Sequence, residues 1–327
     1  MFSWKNQATP IIALAPMADM TDSAFCRTVK EVTGQNDYPI MFREMVSAEA
    51  VVRGNEKTLD MTDIHPGERP LIQQIFGSDP DTMARAAAKI YEEHRPEGFD
   101  VNMGCPVYKI VHNFNGCALM NDPARAAAIV QAMKAAVPVP VSVKFRLGWA
   151  DPTMCLTFIK VLEAAGVDLV TIHGRTKAQG YSGVADWDMV GRARAQAPNL
   201  TVLVNGDIHR PAQLPEALKT SGCDGALIAR GALGNPWFFK EAQQVLAGLT
   251  PTPVSLAERI AIVERHLNYH LEQYGPQAVS TFRKHLSWYF KGIPHMKPFK
   301  ERLMTTTDPE ALVATLRAML DHQVDQA

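Results

Sequence analysis

The sequence predicts an α/β fold: a (β/α)8 TIM barrel followed by a C-terminal all-helical domain. Three observations carry that expectation. Apolar runs of strand length recur about every 30 residues, each followed by a stretch of helical character. Those runs are nearly continuous in apolarity rather than alternating, as in parallel strands covered on both faces. Beyond residue 249 the strand signal stops and amphipathic helical patterns remain.

The strands are expected over 11–18 (IIALAPMA), 40–45 (IMFREM), 71–77 (LIQQIFG), 99–104 (FDVNMG), 140–148 (PVSVKFRLG), 169–175 (LVTIHGR), 201–208 (TVLVNGDI) and 225–231 (GALIARG). Between them, DPDTMARAAAKIYEEH (79–94) opens on aspartate and proline and then places apolar residues at helical spacing. DPARAAAIVQAMKAA (122–136) does the same. Eight such units in about 240 residues fit the barrel. A doubly wound sheet competes, yet it usually has fewer strands, and no G-x-G-x-x-G follows the first run. GLTPTPVS (248–255) reads as a linker, so we divide the chain into a barrel domain, 1–249, and a helical domain, 250–327. Helices are expected over 255–275 and 309–323, with two shorter ones between.

Composition bounds the function. The N-terminal MFSWKNQATP lacks an apolar segment behind a basic one, so no signal peptide is expected, and no run approaches membrane-spanning length. The five cysteines form no C-x-x-C pair, which argues against structural zinc or any other metal and for reduced thiols in a cytoplasmic protein. A monomer is expected. With a net charge of −1, nucleic-acid binding would need a local basic surface.

Polar residues collect at the strand C-termini, where a barrel of this kind builds its active site. In order they are Met17 and Ala18, Glu44, Gln74, Asn102 with Cys105, Lys144 and Arg146, His173 and Arg175, Asn205 with Asp207, and Ala229 with Arg230. Any one of these could be a simple turn former; the set converging on one mouth is less easily dismissed. VNGDI (204–208) and ARGALGNP (229–236) bring small residues near a helix start, where backbone N–H groups can cradle a phosphate. A phosphorylated ligand with a flat polar head follows. FMN fits somewhat better than a sugar phosphate, with Gln74, Lys144 and Asn205 within reach of its ring or ribityl chain.

Cys105 stands apart from Cys26, Cys155 and Cys223, which read as small buried hydrophobes, and from Cys117, which is less clear but has no partner at useful spacing. It follows Asn102 and Gly104 at a strand end and precedes Pro106 and Lys109. A nearby lysine can activate a thiolate, while a protonated thiol can serve as an acid. No general-base histidine shares the motif, so proton donation is the more coherent role.

APMADMTDSAFC (15–26), QIFGSDP (74–80), NMGCPVYK (102–109), GCALM (116–120), VSVKFRLGW (141–149), TIHGRT (171–176), VNGDI (204–208), ARGALGNPWFF (229–239) and FRKHLSWYFKG (282–292) resemble, in order, the dihydrouridine synthases of the bacterial type. The resemblance runs from about residue 11 to 320. It implies an FMN-dependent enzyme that uses NADPH to reduce uridines in the D-loop of transfer RNA to 5,6-dihydrouridine. Hydride from flavin N5 would reach uracil C6, and Cys105 would protonate C5. Carried over by position, Pro16, Met17 and Ala18 would meet the isoalloxazine, with Gln74 and Lys144 at its polar edge. His173, Asn205, Gly206, Asp207, Ala229 and Arg230 would lie towards the ribityl phosphate. Asn102 would hold the base edge, Arg175 would reach flavin or base, and Lys109 joins the substrate contacts. Relatives often carry a basic residue where Tyr108 stands and more in the next loop, here IVHNFNG (110–116).

The helical domain offers a grip on RNA. Residues 283–302 hold Arg283, Lys284, Lys291, Lys297, Lys300 and Arg302 against Glu301, with His285 and His295 besides, and Trp288, Tyr289 and Phe290 interleaved. Two other readings remain at this point: an FMN barrel acting on a small molecule with a C=C bond, and a non-catalytic RNA-binding barrel. The basic tail disfavours the first, and the Asn102, Cys105, Lys144 and His173 set disfavours the second.

Overall fold

Eight strands alternate with helices and close on themselves in chain order, all neighbours parallel, with β1 pairing β8. The computed structural model describes residues 2–34, 38–294 and 296–324, the last three as backbone only. His295 lies outside the described residues. The strands are β1 (Ile11–Leu14), β2 (Ile40–Ser47), β3 (Leu71–Phe76), β4 (Gly98–Met103), β5 (Val141–Arg146), β6 (Leu169–His173), β7 (Thr201–Asn205) and β8 (Gly225–Ile228). The expected barrel is therefore present. Every expected strand but β2 ends early, by three or four residues for β1 at Leu14, β7 at Asn205 and β8 at Ile228 and by one or two for β3–β6. In each case the missing residues form a loop at the C-terminal rim.

A period of two explains what fills the barrel. Ile11, Ala13, Ile40, Phe42, Ile72, Leu169, Leu203 and Leu227 form an apolar interior cluster, and Trp4 joins it, stacked on Phe42 at 5.9 Å. Stepping two residues further along successive strands replaces apolar by polar: Glu44 after Phe42, Gln74 after Ile72, Asn205 after Leu203. The lower half of the barrel is thus a packed plug and the upper half a polar cup.

The outer layer begins with repeated chemistry. Asp22, Asp79, Asp122 and Asp186 each accept a hydrogen bond from a backbone N–H three residues on, capping the helices Ser23–Thr33, Pro80–His94, Pro123–Ala136 and Trp187–Arg194. Such a cap is worth about 0.5–2 kcal/mol relative to alanine. Phe25, Val29, Met83, Ile90, Ile129 and Met133 from these helices are wholly buried against the barrel. Full burial of a large apolar side chain contributes roughly 1.5–3 kcal/mol.

Beyond the coil at 251–255 come four helices, Leu256–Tyr274, Val279–Tyr289, Lys297–Thr305 and Pro309–Val324. They share an apolar cluster of their own that includes Val263, Leu267, Phe282, Leu286, Leu312 and Leu316. Tyr289 and Phe290 are buried in it, so these two rings are core, not an RNA-facing surface. The first of the four helices lies along Ser23–Thr33, tied by Arg27 to Glu272 at 2.9 Å and by Tyr269 to Glu31 at 2.7 Å. A second seam passes at Gly234 (φ +68°), where a Cβ would lie 2.3 Å from the backbone of Trp288. Among the described residues no helix is long and apolar enough to cross a membrane.

Candidate active site

The polar cup opens into a cavity of about 510 Å³ at the strand C-termini. Many of the residues singled out from the sequence line it: Pro16, Met17, Ala18, Gln74, Asn102, Cys105, Lys144, Arg146, His173, Asn205, Gly206, Asp207, Ala229 and Arg230. A larger hollow of about 1390 Å³ lies at the opposite face, but its Arg27 and Arg69 are already paired with Glu272 and Glu97.

The turn carrying Cys105 shows why its motif needs these residue types. Asn102 Oδ1 accepts hydrogen bonds from the backbone N–H groups of Gly104 (3.1 Å) and Cys105 (2.9 Å). This is an aspartate- or asparagine-type turn, in which a short side chain replaces a backbone acceptor. Asn102 Nδ2 donates to Gln74 Oε1 at 2.9 Å, and Gln74 Nε2 donates to Asp100 Oδ2 at 2.6 Å. Ser142 Oγ donates to the other oxygen of Asp100 at 2.6 Å. A continuous hydrogen-bonded chain therefore runs from a buried carboxylate to the thiol's own backbone. From the other side, Arg146 Nε donates to Gly104 O at 2.9 Å. The turn is held between two rigid strands.

Asp100 is missing from the sequence-based set, although a carboxylate inside the apolar run FDVNMG was the signal for it. Burial pushes its carboxyl up to about 6, against the hydrogen bonds from Ser142 and Gln74 and the charge of Lys144. Burial also brings Lys144 down to about 8, helped by Arg146 and opposed by Asp100. Near neutrality the two carry opposite charges, and the lysine's ammonium still meets the cavity. Burial and then the surrounding Lys144, Arg146, Arg175 and Arg230 drive His173 far below the usual imidazole range. It is a neutral ring among cations. Arg175 Nη1 approaches its Nε2 at 3.5 Å, and since arginine only donates, that nitrogen faces as acceptor.

The rim opposite Cys105 has the features of a phosphate cradle. Gly206 adopts φ +116°, and a Cβ there would sit 2.8 Å from both His173 Cδ2 and Ala185 Cβ. The backbone N–H groups of Gly206, Asp207 and Arg230 donate no hydrogen bond among the described residues. Arg230 stands beside them. Backbone donors and a cation facing one space suit a phosphoryl group, so the donor set fits FMN. The neighbouring APMADMT loop, which follows β1, is also fixed: Met17 N donates to Thr21 Oγ1 at 2.8 Å, and Asp19 N to Glu44 Oε2 at 2.7 Å.

Arg175 takes a different place from the one expected. It is buried, and its guanidinium is engaged by both oxygens of Asp207 (2.9 and 2.6 Å) and by the carbonyls of Ser182 and Gly183. It does not line the cavity; it holds the loops after β6 and β7 together. Burial alone would raise the Asp207 carboxyl, but its bonds from Arg175 and Ala185 N bring it below the usual carboxylate range.

The remaining substrate candidates lie apart from the cavity. Lys109 is exposed on the short helix Tyr108–Val111. Arg283 donates to the carbonyls of Thr305 and Thr306, and half-buried Lys284 acts electrostatically on Asp22 and the neighbouring histidines. Those two cations brace the helical domain. Lys291, Lys297, Lys300 and Arg302 remain exposed, with Lys291 Nζ 5.1 Å from the Trp288 ring centroid. Trp288 itself reaches the cavity wall from the helical domain. Tyr181, also unforeseen, stands at the mouth between Arg230 (5.0 Å) and Arg146 (5.6 Å).

A model of the family described as dihydrouridine synthase (Dus) matches residues 13–324. A "probable tRNA-dihydrouridine synthase" of Rickettsia conorii is 37% identical over 305 residues, covering 92% of this chain and 90% of the relative. A "tRNA-dihydrouridine synthase B" of Pseudomonas putida is 37% identical over 319 residues, covering 95% and 92%. Two solved structures share the fold: 2-naphthoyl-CoA reductase in complex with 2-naphthoyl-CoA (TM-score 0.57, 12% identity) and histamine dehydrogenase from Rhizobium sp. 4-9 (TM-score 0.54, 11% identity). The match covers 73% and 79% of this chain but only 50% and 49% of those longer ones. With its barrel, its Cys105 turn and a family match along almost the whole length, the chain belongs to the dihydrouridine synthase family.

Proposed function

We propose that the protein reduces uridines in the D-loop of transfer RNA to 5,6-dihydrouridine, with FMN held in the cavity and NADPH as reductant. The observation that carries this reading is one cavity lined together by Cys105, Lys144, His173 and a rim of unengaged backbone N–H donors. FMN, when bound, supplies the hydride that uracil C6 accepts. Cys105 holds the proton for C5. The Asp100–Gln74–Asn102 chain and Arg146 hold the turn that carries its thiol, and Asn102, at the cavity wall, would hold the base edge. Lys144 contributes positive charge where electron density accumulates, and enclosure within the barrel strengthens that effect. His173, neutral, offers a hydrogen bond without adding a fifth positive charge.

Gly206, Asp207 and Arg230 would hold the phosphate, and Pro16, Met17 and Ala18 the flat ring. In this reading residues 1–249 form the catalytic unit and 250–327 the unit that holds RNA, and the protein acts as a monomer. The exposed cations of 291–302 support RNA over a small substrate, which needs no such surface. Purified protein is expected to be yellow and to release FMN on denaturation. Colourless protein that takes up no FMN would remove the flavin from the account.

A further inference from the structure

We propose that the loop after β4 is a stacking platform for an unpaired nucleobase beside the target uridine, built from Tyr108 and Phe114. This rests on the reading of RNA as substrate. Large apolar side chains are scarce on the surface, yet Val107, Tyr108 and Phe114 are 55%, 75% and 60% exposed within one eight-residue stretch. Neither burial nor backbone preference accounts for them. Phe114 even adopts φ +58°, a conformation that bulky residues avoid.

The loop is also tied to the reaction centre. Cys117 N donates to Cys105 O at 3.2 Å, closing the chain on itself. At Gly116 (φ +60°) a Cβ would lie 2.7 Å from that same oxygen, so the closure needs glycine. Val107 belongs at once to the exposed patch and to the cavity wall. A base resting on Tyr108, the next residue in the chain, would therefore lie beside the cavity mouth.

The chemistry of the patch selects the occupant. The Tyr108 ring lies 5.2 Å from the His112 ring, and Arg125 stands 6.0 Å from the Phe114 centroid. Lys109 and His112 are exposed beside them. Aromatic faces interspersed with cationic and polar groups fit nucleobases and their phosphates better than an aliphatic partner. A uridine drawn out of its stack leaves neighbours with open faces, and the platform offers a replacement surface.

The test uses the full-length, FMN-loaded protein and unmodified tRNA transcripts. Tyr108→Ala/Phe114→Ala is expected to weaken tRNA binding and raise KM by roughly five- to a hundred-fold, the scale of one stacked base. The salt dependence of binding should keep its slope, because no phosphate contact is lost. Tyr108→Phe/Phe114→Tyr should restore the parental affinity, since a ring suffices. Parental affinity and KM in the double alanine variant would overturn the platform. So would a change in its sedimentation from an associated to a monomeric state, which would make the patch a contact between copies. If the parent binds tRNA but forms no dihydrouridine, the proposed reaction fails while the binding comparison still judges the platform. If the parent binds no tRNA, both fall.

Discussion

Cys105 owes its position to a side chain, Asn102, that occupies both backbone N–H groups of the turn with one oxygen. Replacing the thiol should therefore leave the site's architecture intact. Cys105→Ala is expected to bind FMN normally and to form dihydrouridine at least about 100-fold more slowly, the scale of a lost general acid. Parental turnover would assign the proton elsewhere. Lys144 supplies a second residue-level test. With its ammonium titrating near 8, the positive charge is present below that pH and lost above it, so FMN affinity should weaken as pH rises through about 8. Asp100→Asn removes the carboxylate that supports the charge and should move that inflection lower. An inflection unmoved by Asp100→Asn would separate the two groups. Gly206→Ala places a methyl 2.8 Å from His173 Cδ2 at a backbone angle suited to glycine. It is expected to lose FMN retention and about 1–3 kcal/mol of stability.

At the scale of elements, the strands were legible, and their last residues and the loops between them less so. Nearly continuous apolar runs at a spacing of about 30 residues and two Asp-Pro helix starts follow local rules, and the eight strands and the helices after β3 and β4 could be read from them. The cavity-lining set also followed, because a strand end has only one direction to face. Arg175 did not: HGRT places a cation at the rim, but only the fold brings Asp207 within 2.6 Å to occupy it. Trp288 was read as an RNA-facing ring for the same reason, since no local pattern shows that the helical domain folds back onto the cavity.

The seam between barrel and helical domain holds another feature without a local signature. His266, His270 and His285 are all buried there, next to Phe25 and Asp22. Burial, with Lys284 adding to it, depresses all three, His270 to about 4. Their unfolded imidazoles titrate near 6.5, so the unfolded chain binds more protons below that value. Their share of the stability is thus complete above about 6.5 and declines as pH falls towards 4. Asp22, raised by burial, works in the opposite sense. Amide protection, corrected for the intrinsic exchange rate at each pH, should fall in the Leu256–Tyr274 and Val279–Tyr289 helices over that window before it falls in the barrel strands. Equal protection at pH 7 and pH 4.5 would contradict this.

For the whole molecule, a net charge of −1 conceals a basic surface on one domain and a cationic cup in the other. The exposed Lys297 and Lys300 lie on one short helix, apart from the chemistry. Lys297→Glu/Lys300→Glu should weaken tRNA binding and make its salt dependence shallower by roughly one to two counterions, while FMN stays bound. The account's central claim is that this cavity reduces uridine, and nucleoside mass analysis of unmodified tRNA tests it most directly. After incubation with FMN-loaded protein and NADPH, the parent is expected to add two hydrogens to D-loop uridines, and the Cys105→Ala variant to add them only slowly. Unchanged uridine with the flavin bound and reducible would contradict the claim.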